Sequence, residues 1–157
     1  DLNKFQSTVP LEFKRKLDLL SRRFESCPNC KKRFMIDKQK IEENIEIAKM
    51  LGLKNDGDIY ITFPISKNEI STHKDFLKFD IDWNWLMFAV DFIESLGFGY
   101  VAVENNKCEI IINNLERKKF NFNDRFIGNS KKESVFLGVV DFAKKYNKYL
   151  DKQKNKS

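Results

Sequence analysis

A single histidine, His73, stands in the 157 residues. That scarcity argues against His-based acid–base relays and most metallohydrolase ligand sets. Phosphate-cradling glycine loops are missing as well: there is neither a GxxxxGK[ST] nor a GxGxxG. No HExxH and no GxSxG nucleophile elbow is present, and the order of His, Cys and Glu does not match that of a zinc deaminase. Three cysteines, an odd number, do not make a disulfide framework. No apolar run approaches the roughly 20 residues that span a bilayer. No signal-peptide pattern stands at the start, and the opening residue is Asp1 rather than Met, as in a processed or tagged product; the cytoplasm of a host cell is the expected location. Only three prolines and six glycines argue against disorder. Carboxylate ligands can converge from anywhere in a chain, so an acid-based, metal-dependent nuclease stays open. The expectation is nonetheless a protein that is not an enzyme, without a cofactor.

What is abundant is phenylalanine, with 15 residues in a chain that is 41% hydrophobic and 13% aromatic. This suffices for the core of one domain. The clearest core element is Asp82–Gly97, which holds both tryptophans, Trp83 and Trp85. Asp80 or Asp82 can cap a helix there and Gly97 can stop it. Leu86, Phe88, Ala89, Val90, Phe92, Ile93 and Leu96 put apolar groups on most of its surface, which predicts burial. Trp83 and Trp85, which could in principle stack bases, read better as packing groups.

Charge is distributed unevenly. Residues 1–35 carry nine Lys/Arg against four acids, a net +5, and the remaining 122 residues carry 20 against 19. Nearly all of the overall +6 therefore sits in the first fifth of the chain. A segment of that kind suits a negatively charged partner, most often nucleic acid, or serves as a solvated basic face. Phe13, Leu17, Leu20 and Phe24 fall on one helical stripe, so a basic amphipathic helix is predicted over residues 9–26. Its rim and the following turn supply the candidate partner-binding residues: Lys14, Arg15, Lys16, Arg22, Arg23, Lys31, Lys32 and Arg33.

Between them lies Cys27-Pro28-Asn29-Cys30, a spacing that lets two thiolates reach one tetrahedral zinc. Two further ligands would have to come from Cys108 and His73, or from a second chain through its own Cys27 and Cys30. No second CxxC follows, and a tight turn with two free thiols is the plainer reading. Zinc is accordingly only a candidate cofactor.

Further on, a second helix begins at Asp37, with Ile41, Ile45, Ala48 and Leu51 inward, Glu42, Glu43 and Glu46 outward, and Gly52 at its end. Asn55–Asp58 reads as a turn, residues 59–63 as a strand and 66–78 as a loop that contains His73. Tyr100–Glu104 and Lys107–Ile112 form a hairpin through Asn105-Asn106. Leu115–Phe122 offers a third strand. Ser130 and Glu133 make a capping box for the last helix, and a disordered tail is expected over 151–157.

From about Lys38 to Leu150 the chain resembles small proteins encoded by phages and prophages of Bacteroidetes. The resemblance is carried by Ala48-Lys49-Met50-Leu51-Gly52, Trp83-Asn84-Trp85-Leu86-Met87, Ile93-Glu94-Ser95-Leu96-Gly97, Ser130-Lys131-Lys132-Glu133-Ser134-Val135 and Phe142-Ala143-Lys144-Lys145-Tyr146-Asn147. It implies a mobile-element setting, in which small accessory proteins often bind and inhibit host defence machinery. It transfers no activity and does not include residues 1–35. The expected organisation is a basic helical segment over 1–35 and an α+β phage-type domain over 36–150. That domain would have a small antiparallel sheet of three to four strands, packed by the central and C-terminal helices. The expected role is non-enzymatic binding of a host defence protein or its RNA complex, as an anti-CRISPR-like inhibitor of an RNA-guided nuclease would bind. A general RNA- or DNA-binding module is the alternative. No membrane partner is expected.

Overall fold

The computed structural model describes residues 37–67, 69–113 and 120–156. All but the first two of these lie in one compact unit, Gln39–Ser157. The helix predicted over 9–26 and the Cys27–Cys30 turn lie outside the described residues. The elements are α1 (Lys38–Met50), β1 (Asn55–Asp56), β2 (Ile59–Ile61), β3 (Ser71–His73), a 3-10 turn (Lys74–Phe76), α2 (Trp83–Ser95), β4 (Phe98–Glu104), β5 (Lys107–Asn113), β6 (Asn121–Ile127) and α3 (Lys131–Lys154). This is the expected α+β class, but with two three-stranded antiparallel sheets, β1–β2–β3 and β4–β5–β6, where one was expected.

Local signals set the element ends. In α1, Gly52 takes φ 68°. Its N–H bonds Lys49 O and the Leu53 N–H reaches back to Ala48 O, so two end carbonyls are satisfied in a Schellman close. Asp82 caps α2 by accepting the Asn84 N–H at 2.8 Å. Ser130 Oγ accepts the Glu133 N–H at 3.1 Å, while the Glu133 carboxylate accepts from the Asn129 N–H. The β4–β5 turn passes through Asn105 at φ 51°, a conformation that Asn tolerates better than most residues.

The β4–β5–β6 sheet turns Cys108, Ile110, Ile112 and Phe122 to the core, with Val101, Val103 and Phe126 half-buried around them. Helix α3 packs on this side. Phe142 meets Phe122 at 5.0 Å and Phe120 at 5.5 Å between ring centroids. Close approach is permitted by Gly138, where a Cβ would come within 2.9 Å of Ile110 and 3.0 Å of Phe126. Helix α2 adds Trp85, Leu86, Ala89, Val90 and Ile93 to the same core, and Trp85 stands edge-on to Phe79 at 5.2 Å. Across 101 positions of sequence, Asn147 on α3 donates to both Glu46 O and Glu46 Oε2 on α1.

Several expectations are corrected. The segment 66–78 is not a plain loop, since it holds β3 and the 3-10 turn. Ser71 faces out and His73 is half-exposed, so only Thr72 turns inward, and no apolar alternation is visible. Glu43 does not face outward; it is buried, with one oxygen accepting from Gln39 at 2.9 Å and the other 3.5 Å from Lys40. The inward face of α1 is centred on Asn44, Ile47 and Ala48, and the buried Asn44 amide donates to Asp80 at 2.9 Å. The third strand begins at Asn121, later than predicted, and residues 114–119 lie outside the described residues. Helix α3 continues through Lys154, past the expected start of the tail at 151. Finally, α2 is not enclosed: Trp83, Met87 and Phe88 are exposed.

Candidate functional site

Alternation along a strand gives a sheet two faces, and among the described residues helices pack on one face of β4–β5–β6. Register places the opposite face residue by residue. Phe98 lies opposite Asn113, which lies opposite Asn121; Tyr100 lies opposite Ile111, then Asn123; Ala102 lies opposite Glu109, then Arg125; Glu104 lies opposite Lys107, then Ile127. Phe98 is 66% exposed and Tyr100 49%. Arg125 pairs with Glu109 at 3.0 Å. The free edge of β4 is blocked at its midpoint, where the Val101 N–H donates to Glu94 Oε1 of α2 at 2.9 Å.

A second surface feature is a groove of about 480 Å³ between the C-terminal halves of α1 and α3. Lys49, Lys144, Lys148 and Lys154 line it against Glu46 and Asp151. Glu46 is already engaged by Lys49 at 3.2 Å and by Asn147, so the groove keeps an excess of positive charge. Lys144 and Lys148 are four apart on one helix, a spacing at which like charges repel. Beside it, Lys145 bonds Asp124 at 2.7 Å and Asp141 at 2.9 Å. Those hydrogen bonds, first to Asp124 and then to Asp141, hold its ammonium above the usual lysine range.

The predicted partner-binding residues Lys14, Arg15, Lys16, Arg22, Arg23, Lys31, Lys32 and Arg33 lie outside the described residues, as do Cys27 and Cys30. The two remaining members of the four-ligand zinc set are described. Cys108 is buried in β5 against α3, and burial pushes its thiol up to about 11. His73 Nδ1 accepts the Asp75 N–H at 3.3 Å. Cys27 and Cys30, the other two members of that set, lie outside the described residues. Among the described residues, no three His, Cys, Asp or Glu side chains are grouped to hold a metal ion, and no helix is long and apolar enough to cross a membrane.

Phe98 and Tyr100 were not singled out from sequence. Gly97 reads there as a helix stop and Tyr100 as the start of a strand, which left Phe98 in neither element. The available signal was two aromatics two residues apart with glycine between, a spacing that puts both rings on one face. No family model, curated protein or solved structure matches the chain.

Proposed function

We propose that this is a non-enzymatic binding protein of a phage or other mobile element, which engages a nucleoprotein target in the manner of an anti-CRISPR inhibitor of an RNA-guided nuclease. The observation that carries this is the placement of charge: residues 1–35 hold nine bases against four acids. The lysine-lined groove between α1 and α3 adds a second positive surface. Positive clusters attract phosphate through a Coulomb term that is independent of base sequence. The resemblance of residues 38–150 to phage-encoded proteins supports the setting.

Binding of the full chain to a guide-loaded RNA-guided nuclease, measured as ionic strength is raised, tests this. Affinity should fall steeply with salt. Replacing Arg15, Lys16, Arg22, Arg23, Lys31, Lys32 and Arg33 together by Ala should abolish most of that dependence. Unaltered binding by that variant would end the role given to the basic segment. The second reading is a general nucleic-acid-binding module, favoured by the exposed rings of β4. A gel shift with an unrelated single strand separates the two: the module binds unaided, whereas an inhibitor binds the loaded nuclease far more tightly.

A further inference from the structure

We propose that the outer face of the β4–β5–β6 sheet is a stacking platform for single-stranded nucleic acid, with Phe98 and Tyr100 each receiving one base; this rests on the nucleoprotein reading, because such a target presents unpaired strand. Two exposed aromatic rings need an explanation. The β-branched Ile111 opposite Tyr100 gives that ring a modest cross-strand contact. Phe98, opposite Asn113, has no such partner and is the more exposed of the two. Neither ring makes an aromatic contact among the described residues, whereas Phe120, Phe122, Phe142 and Tyr146 form a connected cluster on the core side. Fold stability therefore does not account for the outward aromatics.

Their surroundings leave the rings open. Gly97 and Gly99 flank Phe98, and Ala102 is the next residue on the Tyr100 side of the same face. Gly99 serves a second purpose, since any Cβ there would collide with Ile111 O on β5. Residues two apart on an antiparallel strand are separated by about 6.8 Å, twice the spacing of stacked bases, so neighbouring bases must splay to reach one ring each. Splayed, unpaired bases on sheet aromatics are a standard mode of single-strand recognition. Gly-Phe-Gly-Tyr-Val over 97–101 is close to the Gly-Phe-Gly-Phe-Val centre of base-stacking strands in sheet-type RNA-binding domains, but Leu96 and Val103 stand where that pattern has a basic residue and a third aromatic. The likeness is confined to this strand, which here lies at the edge of its sheet.

The polar residues around the rings suit nucleic acid better than a peptide. Asn113, Asn121 and Asn123 line the two neighbouring strands on this face, and each amide can both donate to and accept from a base edge. A peptide adding as a strand would need the free edge of β4, where Glu94 already occupies the Val101 N–H. Charge sets the direction of the strand. Glu104 and Glu109 lie toward the hairpin end and repel phosphate, although Arg125 and Lys107 lie beside them. At the Phe98 end the paired strand residues Phe98, Asn113 and Asn121 include no acid, and Glu94 of α2 is held at the β4 edge on the Val101 N–H. The phosphates are accordingly placed past Phe98, away from the hairpin.

The test is anisotropy titration of the full chain with a labelled, unpaired RNA of about ten nucleotides, within the size range that such grooves hold. The DNA equivalent and a duplex of the same sequence are run beside it. Phe98→Ala and Tyr100→Ala should each weaken single-strand binding by about 5- to 150-fold, while Phe98→Trp and Tyr100→Phe retain it. Phe98→Ala should unfold near the wild-type midpoint, and Tyr100→Ala, which loses its contact with Ile111, should lower the midpoint only slightly with an unchanged m-value, so that a folded variant excludes misfolding as the cause. Binding of the double Ala variant at wild-type affinity overturns the platform, and so does equal affinity for the duplex. If the double variant binds normally while the seven-base Ala variant does not, charge alone holds the strand; the platform falls and the nucleoprotein reading stands. If the wild type binds no single strand, the platform falls and binding to the loaded nuclease decides the broader reading. Loss of binding to the nuclease protein with no change toward the oligonucleotide makes this face a protein interface, which also overturns the proposal.

Discussion

Gly138→Ala tests how tightly α3 is seated on the sheet. In an exposed helix interior this change gains about 0.8–1.0 kcal/mol, because glycine has more backbone entropy to lose. At Gly138 the new Cβ would stand 2.9 Å from Ile110 Cδ1, 3.0 Å from Phe126 Cδ2 and 3.4 Å from Cys108 Sγ. The two carbon contacts are shorter than the optimum of about 3.5–4.0 Å. Ile110 is fully buried and cannot retreat, whereas the half-buried Phe126 can yield somewhat. Overpacking of this kind costs about 1–3 kcal/mol, which offsets or outweighs the propensity gain, so a net loss of about 0–2 kcal/mol is expected. Ile110→Val removes the clashing Cδ1 and by itself costs about 0.5–1.5 kcal/mol. In the double variant the new methyl enters the space that Cδ1 vacates. It should therefore be more stable than the sum of the single effects by about 1 kcal/mol, with Phe126 limiting full recovery. Urea unfolding followed by tryptophan fluorescence, with an unchanged m-value, reads all four proteins. Additivity within about 0.5 kcal/mol, or a gain in stability from Gly138→Ala alone, would refute the packing argument.

Other expected outcomes follow from single residues. Ser130→Ala removes the N-cap of α3 and should cost about 1 kcal/mol in urea unfolding, with Ser130→Asp retaining most of the stability. Asn105 sits at φ 51°; Asn105→Gly should be near neutral, whereas Asn105→Ala should cost about 1 kcal/mol. The Cys108 thiol is raised by burial from its ordinary 9.0 to about 11. The unfolded chain therefore loses this proton before the folded one does, and stability present below about 9 declines as pH rises through about 11. Cys108→Ala should flatten that decline in unfolding curves taken across the range. In a Cys27→Ser, Cys30→Ser background, Cys108 should react with a thiol reagent only as the protein unfolds; rapid labelling of the native protein would contradict its burial.

The amino-acid sequence by itself determined the features that depend on neighbours within a few positions. Gly52 closes α1, Asp82 opens α2, Ser130 and Glu133 open α3, and Asn105 turns the hairpin, because caps and tight turns are satisfied by groups about two to five residues apart. The apolar run of α2 likewise marked Ala89 and Ile93 as buried. Only the tertiary structure decided which faces are covered. Periodicity shows that a helix or strand has an apolar side but not what lies against it, so Trp85 is enclosed while Trp83, Met87 and Phe88 are open. The burial of Glu43 and the β1–β2–β3 sheet were hidden for the same reason. Thr72 reads as a loop residue until it is seen 3.5 Å from the Thr62 hydroxyl, in the interior. The open face that presents Phe98 and Tyr100 also has no local signature. It exists because α2 and α3, which flank the sheet in sequence, both pack on the side holding Cys108, Ile110 and Ile112, so that no helix among the described residues covers the other side.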